Sequence, residues 1–145
     1  MLYVVTGPPA GGKTSWVEAH ARPADIVIDL DRITRALAGP GAPQWNQDPV
    51  LLKVAHKARY AAMYAAFEVR DQTDVYLIHT MPSTKSLAQY TRLDAKVVAV
   101  DPGRDIVMQR IEAMRDPEMR RVATRWYSSR KKIAPAVRAG QTLDW

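Results

Sequence analysis

Residues 7–14 read Gly7-Pro8-Pro9-Ala10-Gly11-Gly12-Lys13-Thr14, a full match to the phosphate-binding loop pattern G-x-x-x-x-G-K-[ST]. The apolar run from Leu2 to Val5 comes before it and is typical of a buried strand, and a helix-compatible stretch from Thr14 to Ala21 follows. Strand, glycine-rich turn and helix are the context that this loop requires. A turn of this composition could also bind nothing, but the agreement of all its parts predicts a nucleoside triphosphate site.

Each part of the motif has a physical role in holding phosphate. Glycines let backbone N–H groups close around phosphate oxygens, and the N-terminus of the following helix adds the positive end of its dipole. Lys13 is expected to reach the β- and γ-phosphates, and the Thr14 hydroxyl is expected to ligate Mg²⁺. ATP is favoured over GTP because the sequence has no Asn-Lys-x-Asp run. The residues predicted to bind the nucleotide are Gly7, Pro8, Pro9, Ala10, Gly11, Gly12, Lys13, Thr14 and Ser15.

Length and composition limit the remaining possibilities. The 145 residues suffice for one domain with a proper core, so residues 1–145 are expected to form a single unit. No run approaches the ~18 apolar residues of a membrane span, and no basic leader precedes the first apolar run. The chain has no cysteine, which excludes disulfides, thiolate metal sites and cysteine nucleophiles. These features predict a cytoplasmic protein that does not bind a membrane.

The positive charge is concentrated in the C-terminal third. Residues 1–103 carry 11 Lys and Arg against 10 Asp and Glu, whereas residues 104–145 carry 10 against 5. A basic region beside a phosphate site suits a polyanionic partner such as a nucleic acid. It also suits a lid that grips ATP alone, and the sequence leaves both interpretations open.

Strands and helices alternate along the chain. Near-continuous apolar strands separated by helices predict an α/β fold, with a parallel sheet of four to five strands covered on both faces. Residues 142–145 could add a fifth strand or form a tail. The predicted strands cover residues 2–6, 26–31, 75–79 and 96–101, and the predicted helices cover 14–21, 32–38, about 50–70, 83–93, 104 to about 115, and 117 to about 134.

The third helix follows a Pro- and Gly-rich segment, residues 39–49, which is predicted to be a surface loop and a mobile flap. Apolar residues recur along the helix at three- and four-residue spacing and define its predicted buried face. Lys53, Lys57, Arg59 and Arg70 are predicted to lie off that face. The face comprises Leu51, Val54, Ala55, Ala58, Ala62, Ala65 and Val69.

A second motif, Asp29-Leu30-Asp31-Arg32, ends the second predicted strand, and Arg35 follows one turn later. Ligands of open parallel sheets bind beyond the carboxyl ends of the strands, so this acidic pair is expected to face the same crevice as the loop. A carboxylate there can accept the proton of an attacking hydroxyl. Arg32 or Arg35 could clamp a phosphate on the acceptor. The alternative is that the carboxylates only cap a helix.

The loop GPPAGGKT, the strand end VIDLDR and an arginine-bearing helical lid after the fourth strand resemble the P-loop kinases of the polynucleotide 5′-kinase and zeta-toxin type. The resemblance implies a single P-loop domain with a basic lid at about 104–138. It also implies that Asp31 is the general base and that lid arginines, first Arg110 and Arg115, reach the ATP phosphates. The acceptor would be a 5′-hydroxyl or a modified base of a polynucleotide.

One departure from that family concerns the end of the third strand, where kinases of this type tend to carry Asp-Thr and this chain has His79-Thr80. His79 could contact the acceptor or be a hydrogen-bonded structural residue. Three functions stay open: a polynucleotide kinase, a kinase of nucleosides, nucleotides or other small hydroxyl compounds, and a nucleotide-dependent binding or switch protein. The oligomeric state and the choice of base between Asp29 and Asp31 also stay open.

Overall fold

The computed structural model describes residues 1–43, 47–114, 116–129 and 136–137. Five parallel strands form one sheet in the order β2-β3-β1-β4-β5. The α/β class and the parallel sheet flanked by helices are therefore confirmed. The strands are β1 (Leu2–Thr6), β2 (Ile26–Ile28), β3 (Val75–Ile78), β4 (Lys96–Val100) and β5 (Ala136–Val137).

Helices cover both faces of this sheet. Trp16 and Val17 of the first helix pack on one face, whereas Phe67 and Tyr90, from the third and fourth helices, pack on the other. In the described part of the chain, no helix is long and apolar enough to cross a membrane. The helices are α1 (Lys13–His20), α2 (Leu30–Leu37), α3 (Pro49–Glu68), α4 (Thr84–Arg92), α5 (Arg104–Met114) and α6 (Pro117–Ser129).

The second strand is shorter than its sequence predicts. It ends at Ile28, and Leu30 already begins α2 because the Asp29 carboxylate accepts a hydrogen bond from the backbone N–H of Asp31 at 3.1 Å. An aspartate at this position caps the first turn of a helix and thereby competes with strand extension. Asp31 consequently lies on a helix rather than at a strand end.

The C-terminal region matches its prediction in part. The predicted last helix is present as α6, which is described as far as Ser129 and buries Trp126. The fifth strand is Ala136–Val137 and pairs with β4, so it precedes the segment 142–145 that was considered for it. That segment and Arg115 lie outside the described residues.

The predicted buried face of α3 is confirmed in part. Five of its seven members are buried or half-buried: Leu51, Ala55, Ala58, Ala62 and Val69. Val54 and Ala65 are exposed, whereas Arg59, which was placed off the face, is only 7% exposed. The buried face was predicted from the spacing of apolar residues, and Arg59 was left off it because it is charged. The residues of α3 that are buried are Ala55, Arg59, Met63, Ala66 and Phe67.

The loop after β1 is packed tightly against β4. Gly7 has φ +149°, and a Cβ added to it would lie 2.2 Å from the carbonyl oxygen of Val100. A Cβ on Gly11 would meet the carbonyl oxygens of Pro8 at 2.8 Å and Val100 at 3.0 Å. Both glycines are therefore required for the backbone approach that fixes this loop above the sheet.

We expect Gly7→Ala to lower the free energy of unfolding markedly more than Gly103→Ala. Gly103 also has positive φ, at +113°, but has open space around its Cβ position, so its substitution adds only backbone strain of about 1–3 kcal/mol. Gly7→Ala adds the displacement of Val100 to a comparable strain. Urea unfolding of both variants measures the difference, and equal losses would contradict the packing argument.

Candidate functional site

A cavity of about 670 Å³ opens at the carboxyl edge of the sheet. It lies where β1 and β3, which are neighbours, lead to helices on opposite faces, α1 and α4. Such a topological switch point is where open α/β sheets bind ligands. The cavity walls come from residues 9–15, from residues 29–31, from the middle of α3, from the end of β3, and from α5 and α6.

The Gly7–Thr14 loop forms the base of this cavity. Ala10 and Gly12 adopt left-handed backbone conformations, with φ of 58° and 94°. Gly12 precedes α1 without a side-chain cap, so within the described residues the N-terminal amides of that helix stay available to a ligand. Left-handed turns and helix N-termini both direct N–H groups at anions, which gives the loop the geometry of a phosphate cradle. Thr14 and Ser15 are exposed and also line the cavity.

The Lys13 ammonium is held inside the loop. Its Nζ donates to the carbonyl oxygens of Gly7 at 3.0 Å and Pro8 at 2.8 Å. Burial lowers the pKa of Lys13 to about 8, against the opposing charges of Asp29 and Asp31. The side chain is thus a cation whose charge is costly until anionic groups join it.

Asp29 and Asp31 share the cavity with Lys13 and differ in environment. Asp29 is buried, and burial followed by the charge of Asp31 raises its pKa. Asp31 is exposed, and its carboxylate has no hydrogen bond or ion pair with the described residues. Asp29 caps α2, whereas Asp31 lies in the first turn of that helix, where a negative charge interacts favourably with the helix dipole.

These residues fit a magnesium ion bound together with phosphate. Within residues 1–43, 47–114, 116–129 and 136–137, no group of three or more His, Asp or Glu side chains could hold a metal by itself. Mg²⁺ keeps several waters and needs only one or two protein oxygens beside substrate phosphates. The Thr14 hydroxyl and the nearby carboxylates of Asp29 and Asp31 supply such oxygens at one wall of the cavity.

Arg110 of α5 reaches the loop from the other side. Its Nη1 donates to the carbonyl oxygen of Ala10 at 2.9 Å. The second arginine predicted for this role, Arg115, lies outside the described residues. The adjoining α6 is fixed to the sheet edge, because Trp126 Nε1 donates to the carbonyl oxygen of Thr80 at 3.0 Å and the Tyr127 hydroxyl donates to Asp101 at 2.7 Å.

His79 lines the cavity and is also tied to the fold. A hydrogen bond of 2.7 Å joins its Nδ1 to the hydroxyl of Tyr90 on α4. Burial, followed by the charge of Arg59, lowers the pKa of His79 to about 4. A neutral imidazole is therefore presented to the cavity at physiological pH.

The arginines predicted to hold the acceptor are not in the cavity. Arg32 and Arg35 are exposed on α2 and do not belong to the described lining. Their charges do act on Asp29, where they oppose the rise of its pKa.

Three residues of α3 that the sequence did not indicate line the cavity instead: His56, Arg59 and Tyr60. The available signal was the spacing of Arg59, four residues from both Ala55 and Met63, which are buried. A charged residue in register with an apolar stripe is either paired or functional.

No protein-family model matches the chain, and a search of curated proteins finds no match either. Function is therefore inferred from the motif and from the geometry of this cavity.

The half-buried His79 is expected to make the folding stability sensitive to acid. Its pKa is about 4 in the folded protein and about 6.5 when the chain is unfolded, so the unfolded state binds the proton first. Stability is therefore lost as the pH falls from 6.5 to 4, by up to about 3 kcal/mol from this group. His79→Gln should flatten that part of the pH profile in urea unfolding. His56→Gln, which removes an exposed histidine, should follow the wild type, and identical profiles for both variants would refute the assignment.

Proposed function

We propose that this protein is an ATP- and Mg²⁺-dependent P-loop kinase that moves the γ-phosphate to an acceptor hydroxyl, akin to the polynucleotide 5′-kinase and zeta-toxin type. One observation carries the proposal: Lys13, Asp31 and Arg110 come from distant segments and line one cavity. A phosphate cradle, a carboxylate with no structural partner and a guanidinium are the parts that phosphoryl transfer needs.

The residues of the cradle act on the nucleotide. The amides of the loop and of the first turn of α1 bind phosphate oxygens, and the Lys13 ammonium leaves the carbonyls of Gly7 and Pro8 to contact them. Arg110 shifts from the Ala10 carbonyl to the phosphates and neutralises developing charge. Thr14, with Asp29 or Asp31, would hold the magnesium ion, and the ion would neutralise charge on the phosphate oxygens.

Asp31 acts as the general base. Its carboxylate is free of the cap that occupies Asp29, is exposed to the cavity, and lies close enough to Lys13 to influence its pKa. It accepts the proton of the acceptor hydroxyl as the acceptor oxygen bonds to the γ-phosphorus and the bond to ADP breaks. Asp29 holds the start of α2, and with it Asp31, in position.

A polynucleotide is the preferred acceptor. The basic C-terminal third supports this choice, since Arg120, Arg121 and Arg125 are all exposed on α6 and suit attraction to a phosphate backbone.

A small hydroxyl compound is the second candidate. The cavity volume of about 670 Å³ favours it, because this volume is usual for a pocket that encloses a small molecule.

Transfer of labelled γ-phosphate tests the proposal. The acceptors are 5′-hydroxyl DNA and RNA oligonucleotides beside a panel of nucleosides and nucleotides. We expect Asp31→Asn to lower the rate by about 10²–10⁴-fold with stability unchanged. Asp29→Asn keeps a good helix cap and should lose less activity.

The label itself distinguishes the acceptors. Label on oligonucleotides supports a polynucleotide kinase, and label only on small compounds supports the second candidate. Bound ATP with no labelled acceptor would reject the kinase and leave a nucleotide-dependent binding or switch protein.

The pKa of Lys13 provides a separate test of nucleotide binding. Since it is about 8 in the free protein, most of the lysine is neutral at pH 9, and contact with phosphates restores the proton. Binding of ATP at pH 9 should take up about 0.8–0.9 proton if the bound pKa is about 10 or higher. Calorimetry in buffers of different ionisation enthalpy measures this uptake. Lys13→Arg, which stays charged, should show none, and no uptake by the wild type would contradict the predicted contact.

A further inference from the structure

Arg59 is a buried cation without an anionic partner in the described residues. Its side chain is 7% exposed, and its Nη2 donates to the carbonyl oxygen of Ile78 at 3.3 Å. Its Nε–H is buried and has no partner, and no described carboxylate lies within 4.0 Å. A guanidinium has five donors, and the described residues accept one hydrogen bond from this one. Such a group destabilises the fold unless an anion joins it.

The position of Arg59 indicates where that anion comes from. The residue lines the cavity beside His79, at the end of β3, rather than at the Gly7–Thr14 loop. Ile78, which accepts the hydrogen bond from Arg59, pairs with Val5 of the neighbouring strand β1. Because the Gly7–Thr14 loop follows β1, the wall that contains Arg59 lies one strand spacing from the loop. Because His79 is held neutral, Arg59 is the cation of this wall among the described residues.

The rim next to Arg59 suits an organic ligand. Tyr60 and Met81 are 51% and 37% exposed and line the same cavity. An aromatic ring and a thioether offer flat, apolar contact, whereas Arg59 offers charge below them. This wall therefore combines the two features of a small-molecule site, apolar surface and a precisely placed polar group.

We propose that Arg59 binds an oxyanion carried by the acceptor, of the phosphate class, and so fixes the acceptor hydroxyl beside Asp31. This inference rests on the proposed kinase function, and it specifies the substrate as a hydroxyl compound that already bears a phosphate. Arg59 thereby takes the role that the sequence had given to Arg32 or Arg35. The guanidinium group can bind two phosphate oxygens at once, and its hydrogen bond to the Ile78 carbonyl orients it before the ligand binds.

Binding of inorganic phosphate to the protein loaded with AMP-PNP and Mg²⁺ tests the site. The nonhydrolysable nucleotide fills the loop, so that added phosphate reports on a second site. Calorimetry with wild type, Arg59→Met and Lys57→Met compares the cavity arginine with an exposed cation of the same helix. We expect one further phosphate site that Arg59→Met weakens at least about tenfold and Lys57→Met does not change. Acetate in a parallel titration distinguishes a carboxylate from a phosphate ligand.

Thermal unfolding without added anion separates a binding role from a structural one. If Arg59 is kept for its ligand, Arg59→Met removes an unpaired buried charge and raises the melting temperature. If it only holds the Ile78 carbonyl, the substitution lowers the melting temperature and leaves phosphate binding to the folded variant unchanged. The second result would overturn the inference.

Failure of the kinase proposal can be recognised separately. If AMP-PNP binds but phosphate finds no second site, the Arg59 inference is wrong and the kinase proposal stands. If AMP-PNP does not bind, phosphate is titrated into the free protein, and Lys13→Met is compared with Arg59→Met. If only Arg59→Met loses phosphate binding, the anion site at Arg59 stands without the kinase function. If only Lys13→Met loses phosphate binding, the anion site at Arg59 is rejected.

Discussion

The close contact between Gly7 and the Val100 carbonyl is the constraint from which the site develops. With 2.2 Å available to a Cβ, only a glycine lets the chain leave β1 and turn directly over the end of β4. That turn sets the left-handed conformations at Ala10 and Gly12, and it starts α1 with uncapped amides directed at the cavity. Backbone packing in the sheet and ligand geometry in the loop therefore have the same cause.

The cavity keeps cations in places where burial makes them costly. Lys13 has a lowered pKa, and Arg59 has one hydrogen bond for five donors within the described chain. A fold selected for stability alone would replace such groups with apolar side chains of similar volume. Their presence around one cavity is most simply explained by anionic ligands that supply the missing interactions, since binding to the folded state then offsets the cost.

The sequence predicted the structural elements correctly where local residue preferences and tertiary packing favour the same conformation. The Gly7–Thr14 motif and the first four strands follow from residue type and order. Prediction from the sequence failed where a single side chain determines where an element ends. The cap at Asp29 ends β2 early, a competition between two backbone conformations that hydrophobic patterning does not register.

Arg59 shows a second limit of sequence patterns. Helical periodicity predicted the correct helix and most of its buried face but left out Arg59, because the face was assigned from the apolar residues alone. The burial of Arg59 depends on the carbonyl of Ile78, which β3 brings close from 19 positions away in the chain. No spacing rule within one helix contains that information. Arg32 and Arg35 were chosen for their nearness in sequence to Asp31, and the turn of α2 leaves them on the solvent side.

The shape of the cavity also bears on whether a second substrate exists. A nucleotide switch needs a phosphate cradle and a place for one water, and the Gly7–Thr14 loop with Asp31 would be sufficient for both. Here the cavity continues past the cradle to Arg59, Tyr60 and Met81, which a triphosphate held by the loop does not need. Surface of this kind carries a cost in exposed apolar area and buried charge. Its extension beyond the cradle is therefore the feature that favours transfer to an acceptor over hydrolysis alone.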